Sequence, residues 1–75
     1  MAEVTFEIVK HIKILSESKK GWKKELNLVS WNNNEPKYDI REWSQDHTKM
    51  SKGITITPEE LKILKDILNE IEIKL

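Results

Sequence analysis

Residues 57–60 carry the strongest local structural signal in the chain and divide it into two unlike parts. Thr57 can cap the free N–H groups of a helix, Pro58 suits its first position, and Glu60 completes a capping box. Apolar residues then recur at helical spacing. The sequence therefore predicts one amphipathic helix, and it predicts that this helix is the last element.

Four segments with strand character precede the helix, at residues 4–15, 22–31, 37–43 and 52–56. Polar stretches separate them, and the run of asparagines followed by a proline between the second and third segments is typical of a hairpin turn. Neither repeats nor domain linkers interrupt the chain. We therefore expect a single domain over residues 1–75, with the element order ββββα.

Side-chain alternation gives this sheet two different faces. In the first strand, period-two spacing places one apolar set on one side: Val4, Phe6, Ile8, Ile12 and Ile14. We predict that the helix covers the even-numbered face of the sheet through Phe6, Ile8, Leu26, Leu28, Tyr38, Ile40, Ile54 and Ile56. The odd-numbered face is then left to solvent. It combines aromatic and basic side chains: Lys23, Trp31, Lys37, Arg41 and Trp43, with Trp22 and Lys24 near its edge.

An exposed face of this kind suits single-stranded nucleic acid. Each base offers a π-face that can stack on an aromatic ring, and Lys or Arg neutralises the intervening phosphates. In duplex DNA the π-faces of the bases are already stacked on each other and cannot contact an aromatic side chain. The alternative is that the tryptophans are core or dimer anchors and that the lysines only keep the protein in solution, and composition alone favours that alternative.

The length of the chain and the distribution of its charges predict its oligomeric state and the charge of its ligand. A domain of 75 residues without cysteine has a small core and no disulfide to stabilise it, so we predict a homodimer. The helix carries apolar positions suited to that interface: Leu64, Ile67, Leu68, Ile71 and Leu75. The same broad stripe could instead be used entirely within one chain. Although the net charge is zero, residues 10–24 hold six lysines against one glutamate, which favours an anionic ligand.

The sequence gives no support to catalytic or metal chemistry. His11 and His47 are isolated from other ligand residues, and Gly21 and Gly53 cannot build a phosphate-binding loop. We therefore predict a protein that is not an enzyme and that uses no cofactor and no metal. No segment is long and apolar enough to span a membrane and no export signal is evident, so we expect a cytoplasmic protein without membrane partners.

Several motifs, taken in order, resemble a known family. The D-I-R-E-W run of residues 39–43, the K-G-I-T-I run of residues 52–56 and the T-P-E-E-L run of residues 57–61 look like the C-terminal domain of the transcriptional coactivator positive cofactor four. The F-E-I of residues 6–8 and the segment of residues 16–22 are more similar still to the bacterial YdbC proteins of that PC4-like superfamily.

The resemblance implies an α+β fold in which a curved four-stranded antiparallel sheet is backed by the helix. It also implies a homodimer joined largely through the helices, with single-stranded DNA bound across the sheets. Together with the residues, it gives the full predicted site: Lys10, Lys13, Trp22, Lys23, Lys24, Trp31, Lys37, Arg41, Trp43 and Lys52. As an even-numbered residue, Lys52 is expected on the same face as Ile54. It reaches the odd-numbered face only if a bulge at Gly53 redirects it.

Two functions remain open from the sequence. The first is sequence-tolerant binding of single-stranded DNA, in transcription regulation or DNA maintenance, and the sequence does not decide between DNA and RNA. The second is a protein-interaction module, in which the same face docks an acidic polypeptide such as one from the transcription machinery.

Overall fold

A computed structural model describes residues 4–74 of the chain. Its elements follow the predicted order: β1 (Phe6–Glu17), β2 (Lys23–Trp31), β3 (Lys37–Trp43), β4 (Ile54–Ile56) and α1 (Pro58–Glu70). The strands form one antiparallel sheet in chain order. The predicted ββββα architecture is confirmed, although β1 runs two residues further and β4 is shorter than predicted. Leu75, a predicted dimer residue, lies outside the described residues.

Bulges interrupt β1 at regular intervals. Its register against β2 shifts between Ile8 and Lys10, between His11 and Lys13, and between Ile14 and Ser16. Each shift leaves one residue of β1 out of the pairing: Val9, Ile12 and Leu15. Because every bulge bends the strand and increases its right-handed twist, three of them in one strand curl the whole sheet.

The register of β1 against β2 decides which of their side chains share a face. Directly paired residues lie on the same side of an antiparallel sheet. Phe6 pairs with Trp31 and Ile8 pairs with Val29, so both belong to the odd-numbered face. The prediction that they share the even-numbered face with the helix is wrong. The period-two pattern of β1 is wrong as well, because Ile12 falls in a bulge.

The odd-numbered face is the inside of the curled sheet. Trp43 pairs with Lys23, which lies eight residues, or about 26 Å of strand, from Trp31. Nevertheless, the centroid of the Phe6 ring lies 5.9 Å from that of Trp31 and 5.1 Å from that of Trp43. Only a strongly curved sheet brings these rings together. We call this side, made by the odd-numbered residues of β2 and β3 and their partners in β1, the concave face.

The concave face holds the buried core, so the prediction that it is left to solvent is wrong. Every buried residue among those described belongs to it: Glu25, Asn27, Val29, Asp39 and Trp43. The curl of the sheet, rather than a covering helix, removes these side chains from water. By contrast, Leu26, Leu28, Tyr38 and Ile40 on the even-numbered face are only partly buried.

The helix begins as predicted but packs differently. Thr57 Oγ1 accepts a hydrogen bond from the Glu60 N–H at 3.1 Å, and Glu60 Oε1 accepts one from the Thr57 N–H at 2.9 Å. These bonds form the capping box, and the bonds that the Glu60 carboxylate accepts from the Thr57 N–H and side chain lower the pKa of Glu60. No residue of α1 is buried, and its principal contacts with the sheet are with β3. The prediction that α1 covers the sheet is therefore wrong for a single chain.

The C-terminal end of α1 lies before the last residues of the predicted apolar stripe. The helix ends at Glu70, and Ile71 is its C-cap in an extended conformation. Ile71 and Ile73 therefore follow the helix rather than lie in it. Within residues 4–74, the chain has no helix with the length and apolar character needed to cross a membrane.

Candidate nucleic-acid interface

The structure divides the predicted site residues between the two faces of the sheet. The concave face takes one set: Lys23, Trp31, Lys37, Arg41 and Trp43. On the opposite face, Lys10 pairs with Leu28, Lys13 with Leu26, and Lys24 with Glu42. Trp22 lies in the loop before β2. One continuous surface that contains every predicted residue is therefore not formed by a single chain.

Lys52 lies just before β4, outside the regular β3–β4 pairs. It lines a shallow depression together with Lys24, Ile40 and Ile54. A Cβ atom at Gly53 would lie 2.4 Å from the Ile40 carbonyl oxygen, so glycine is needed for the close approach of the chain to β3. The regular β3–β4 pairs end at Ile40 and Ile54, and the next pair joins Trp43 to Met50. The segment between Met50 and Ile54 therefore holds one residue more than the facing part of β3, as in a bulge, and parity alone does not assign Lys52 to either face.

Arg41 and Trp31 form a stacked pair on the concave face. The guanidinium carbon of Arg41 lies 4.5 Å from the centroid of the Trp31 ring, which is a cation–π contact. Asp39 fixes this guanidinium, because it accepts hydrogen bonds from Arg41 Nε at 2.7 Å and from Nη2 at 2.8 Å. Trp31 remains partly exposed. A planar cation held on a partly exposed indole is a ready platform on which a base can stack.

The ion pair changes what Arg41 can contribute. Asp39 is fully buried and also accepts a hydrogen bond from Thr55 Oγ1 at 3.1 Å. The positive charge of Arg41 is therefore compensated within the protein. Its fixed, planar position suits stacking better than phosphate neutralisation, which was the predicted role.

Trp43 is a core residue in this conformation. None of its surface is exposed, and its ring packs against Phe6 and, at 5.6 Å between centroids, against His47. The indole Nε1–H has no hydrogen-bond partner among the described residues. A single chain therefore offers Trp31, and not Trp43, as an accessible stacking surface.

A polar network that was not predicted from the sequence lines the concave face beside these aromatics. His47 Nε2 lies 3.0 Å from both carboxylate oxygens of Glu25, and Asn27 Nδ2 donates to Glu25 Oε1 at 3.0 Å. His11 Nδ1 lies 2.7 Å from Asn27 Oδ1 and 3.4 Å from Glu25 Oε1. The network ties β1 and β2 to the loop between β3 and β4.

Glu25 is the ionised centre of that network. Burial acts to raise the pKa of its carboxyl, but the hydrogen bonds from Asn27 and His47 and the charges of His47 and His11 outweigh burial. The pKa of Glu25 therefore lies below its usual value of 4.5. The odd numbers of Glu25 and Asn27 place them on the same face as Trp31, a signal that could have been read from the sequence. His47 gave no such signal, because its position depends on a left-handed backbone conformation in a loop (φ 58°).

The charges of the concave face nearly balance. Asp39 and Glu25 oppose its cations, and Arg41 is already paired. Lys23 and Lys37 are the two lysines of this face, and Glu17 of β1 is paired with Lys23. Within residues 4–74, no three His, Asp or Glu side chains are grouped so that they could hold a metal ion.

The chain is similar to a known protein family and to a protein of another organism. A family model described as Transcriptional Coactivator p15 (PC4) matches residues 18–67. A protein from Treponema pallidum (strain Nichols), described as an uncharacterized protein, is 44% identical over 68 residues, which cover 91% of this chain and 80% of the relative. The family match spans β2, β3 and β4 and most of α1, and so includes the strands that carry the Trp31–Arg41 pair.

Proposed function

Because the chain belongs to the transcriptional coactivator p15 (PC4) family, we propose that it binds single-stranded DNA through its concave face, with little dependence on base sequence. The observation that carries the proposal is the stack of Arg41 on the partly exposed ring of Trp31, held in place by buried Asp39. A role in transcription regulation or DNA maintenance in the cytoplasm belongs to the same proposal, and it involves no catalytic step.

In the proposed complex, the aromatic side chains stack on bases and the basic side chains neutralise phosphates. A base can stack on the Trp31–Arg41 platform, because every base has a π-face and the platform reads no base edge. Lys23 and Lys37 neutralise neighbouring phosphates. Asp39 fixes the guanidinium before the ligand arrives, so less side-chain freedom is lost on binding. A duplex is excluded because its base faces are already stacked.

A salt titration of oligo-dT binding tests this function. If Lys23 and Lys37 each neutralise one phosphate, log K should fall against log salt with a slope of about −1.4 per protomer from these two residues. The double variant K23Q/K37Q should lose that part of the slope. K65Q, which removes an exposed lysine of α1, is the matched control and should leave the slope unchanged.

Replacement of Trp31 tests the platform in the same assay. We expect W31A to weaken oligo-dT binding by about 1–3 kcal/mol and W31F to retain most of the affinity, because phenylalanine still offers a π-face. Melting curves check that both variants are folded. Equal binding of the matching duplex, or a salt response unchanged in K23Q/K37Q, would contradict the proposal. Capture of an acidic peptide without any binding of oligo-dT or oligo-U would favour the protein-interaction alternative.

We also propose that the binding form is a homodimer in which a second copy covers the apolar surface left open by one chain. Leu64, Ile67, Leu68 and Ile71 are 37%, 44%, 45% and 50% exposed. The even-numbered face of the sheet is only partly buried as well. Two unpartnered apolar surfaces on one small chain can cover each other reciprocally across a two-fold axis.

A charge placed in the helix stripe tests the dimer. L68E should convert the dimer to monomer in sedimentation equilibrium, because a carboxylate would be buried without a partner at the interface. K65E, one turn earlier among the polar positions of α1, is the control and should leave the mass unchanged. A monomeric wild-type chain at micromolar concentration would contradict this proposal.

A further inference from the structure

A second cleft lies outside the concave face, between the loop that joins β1 to β2 and the loop that joins β3 to β4. Its volume is about 380 Å³. Its walls combine an aromatic ring, two ammonium groups, a carboxylate, an amide and two hydroxyls: Trp22, Lys20, Lys49, Asp46, Gln45, Ser44 and Thr48. We infer that this loop cleft is a second nucleotide-binding subsite for the same nucleic-acid strand, an inference that rests on the proposed function.

The wall that carries Trp22 is held in a closed turn. Gly21 has a φ of +84°, in the left-handed region that favours glycine. The Gly21 N–H donates to the Ser18 carbonyl oxygen at 3.0 Å, and the Ser18 N–H donates to the Trp22 carbonyl oxygen at 2.7 Å. The backbone of Trp22 is thus fixed while its side chain stays partly exposed.

Hydrogen bonds to one carboxylate fix the opposite wall. Asp46 Oδ1 accepts from the Thr48 side chain at 2.7 Å, from the Thr48 N–H at 3.1 Å and from Ser44 Oγ at 2.9 Å. These bonds, led by that of the Thr48 side chain, lower the pKa of Asp46 to about 2, so the group is ionised at neutral pH. Both walls are therefore ordered before any ligand enters, which reduces the entropic cost of binding.

The chemistry of the walls matches a nucleotide better than a bare anion. The indole of Trp22 offers a stacking surface for a base. Lys20 and Lys49, one from each loop, can neutralise a phosphate between them, whereas Asp46 repels a free phosphate or another polyanion. A carboxylate can also accept a hydrogen bond from a base amino group. Base and phosphate together satisfy the mixture of groups that the cleft presents.

The loop cleft adjoins the concave face directly. A cavity of about 250 Å³ on the concave face, which includes Lys23 and Glu25, shares Ser44 and Gln45 with the loop cleft. The two loops also meet there, because a Cβ atom placed on Gly21 would lie 3.4 Å from Gln45 Nε2. A strand that leaves the concave face past Lys23 therefore reaches the loop cleft next.

A length series separates the second subsite from the first. In the wild-type protein, affinity for oligo-dT should rise by at least about fivefold at the length that first reaches the loop cleft, the gain expected from one stacked base. W22A should lose this rise and bind short oligo-dT normally. W22F should keep the rise, because its ring still stacks. An oligo-dT core extended with abasic nucleotides should gain less than one extended with thymidines.

Further controls make the outcomes distinct. K49Q should flatten the salt slope by about 0.7 for long oligo-dT, whereas K65Q on α1 should not. The inference is overturned if folded W22A keeps the wild-type length dependence, or if abasic extensions give the full gain. If wild-type protein binds no oligo-dT of any length, the proposed function fails as well. If short oligo-dT binds in a Trp31-dependent way without any effect of W22A, only the loop cleft is refuted.

Discussion

Trp43→Ala is expected to destabilise the fold by about 3–5 kcal/mol, the usual cost of truncating a fully buried tryptophan. The indole fills the place where the curled sheet closes on itself, between Phe6 and His47, and exposes none of its surface. A single core in a domain of this size rarely supplies more than about 3–5 kcal/mol. The variant should therefore be largely unfolded at room temperature, as seen by circular dichroism and urea titration.

Trp43→Phe is the matched control for this loss. Phenylalanine keeps an aromatic ring against Phe6, and it removes an indole N–H that has no hydrogen-bond partner among the described residues. Since a buried donor without a partner costs free energy, its removal offsets part of the lost packing. We expect W43F to fold, with a lower urea midpoint than the wild type. A W43A variant with wild-type stability and weaker oligo-dT binding would instead show that Trp43 is an exposed stacking residue, as predicted from the sequence.

Asp39→Ala should also cost about 3–5 kcal/mol, because it leaves the guanidinium of a largely buried Arg41 without its partner. The side chains of Asp39 and Arg41 are 0% and 14% exposed, and two hydrogen bonds of 2.7 and 2.8 Å join them. Asp39 also accepts from Thr55, so its loss loosens β4 against β3. Urea titration at a fixed protein concentration measures the effect.

The double variant D39A/R41M distinguishes loss of charge pairing from loss of packing. Methionine in place of Arg41 removes the unpaired charge and keeps much of the side-chain volume over Trp31. We therefore expect the double variant to be more stable than D39A alone, with a coupling energy of about 1–3 kcal/mol in the double-mutant cycle. Strictly additive losses would show that Asp39 and Arg41 do not act as a pair. R41M alone should weaken oligo-dT binding if the guanidinium is part of the stacking platform.

Local signals in the sequence were enough to predict the elements and their order. The capping box of Thr57 and Glu60 formed as predicted, because all of its atoms lie within four consecutive residues. The bounds of β3, Lys37–Trp43, were also predicted correctly. Alternation along that strand correctly separated Asp39, Arg41 and Trp43 from Tyr38 and Ile40. In each case the determining interactions span a few residues of chain.

The direction in which the sheet curls was not predictable in this way. Alternation gives two faces but does not say which one becomes the inside, and the prediction that the odd-numbered face is left to solvent was wrong. Polar Glu25 and Asn27 are buried because His11 and His47, from distant segments, supply their hydrogen-bond partners. A polar side chain enters a core only when such partners exist, and their presence depends on tertiary contacts.

The sequence by itself determined the four strands, the capped helix and the presence of aromatic and basic side chains on one face. The tertiary structure alone decided that three bulges in β1 curl this face inward, bury Trp43, and leave Trp31 under Arg41 as the accessible aromatic. The physical reason is that a bulge is a property of the register between two strands, and curvature accumulates from several bulges. Neither can be read from one strand alone.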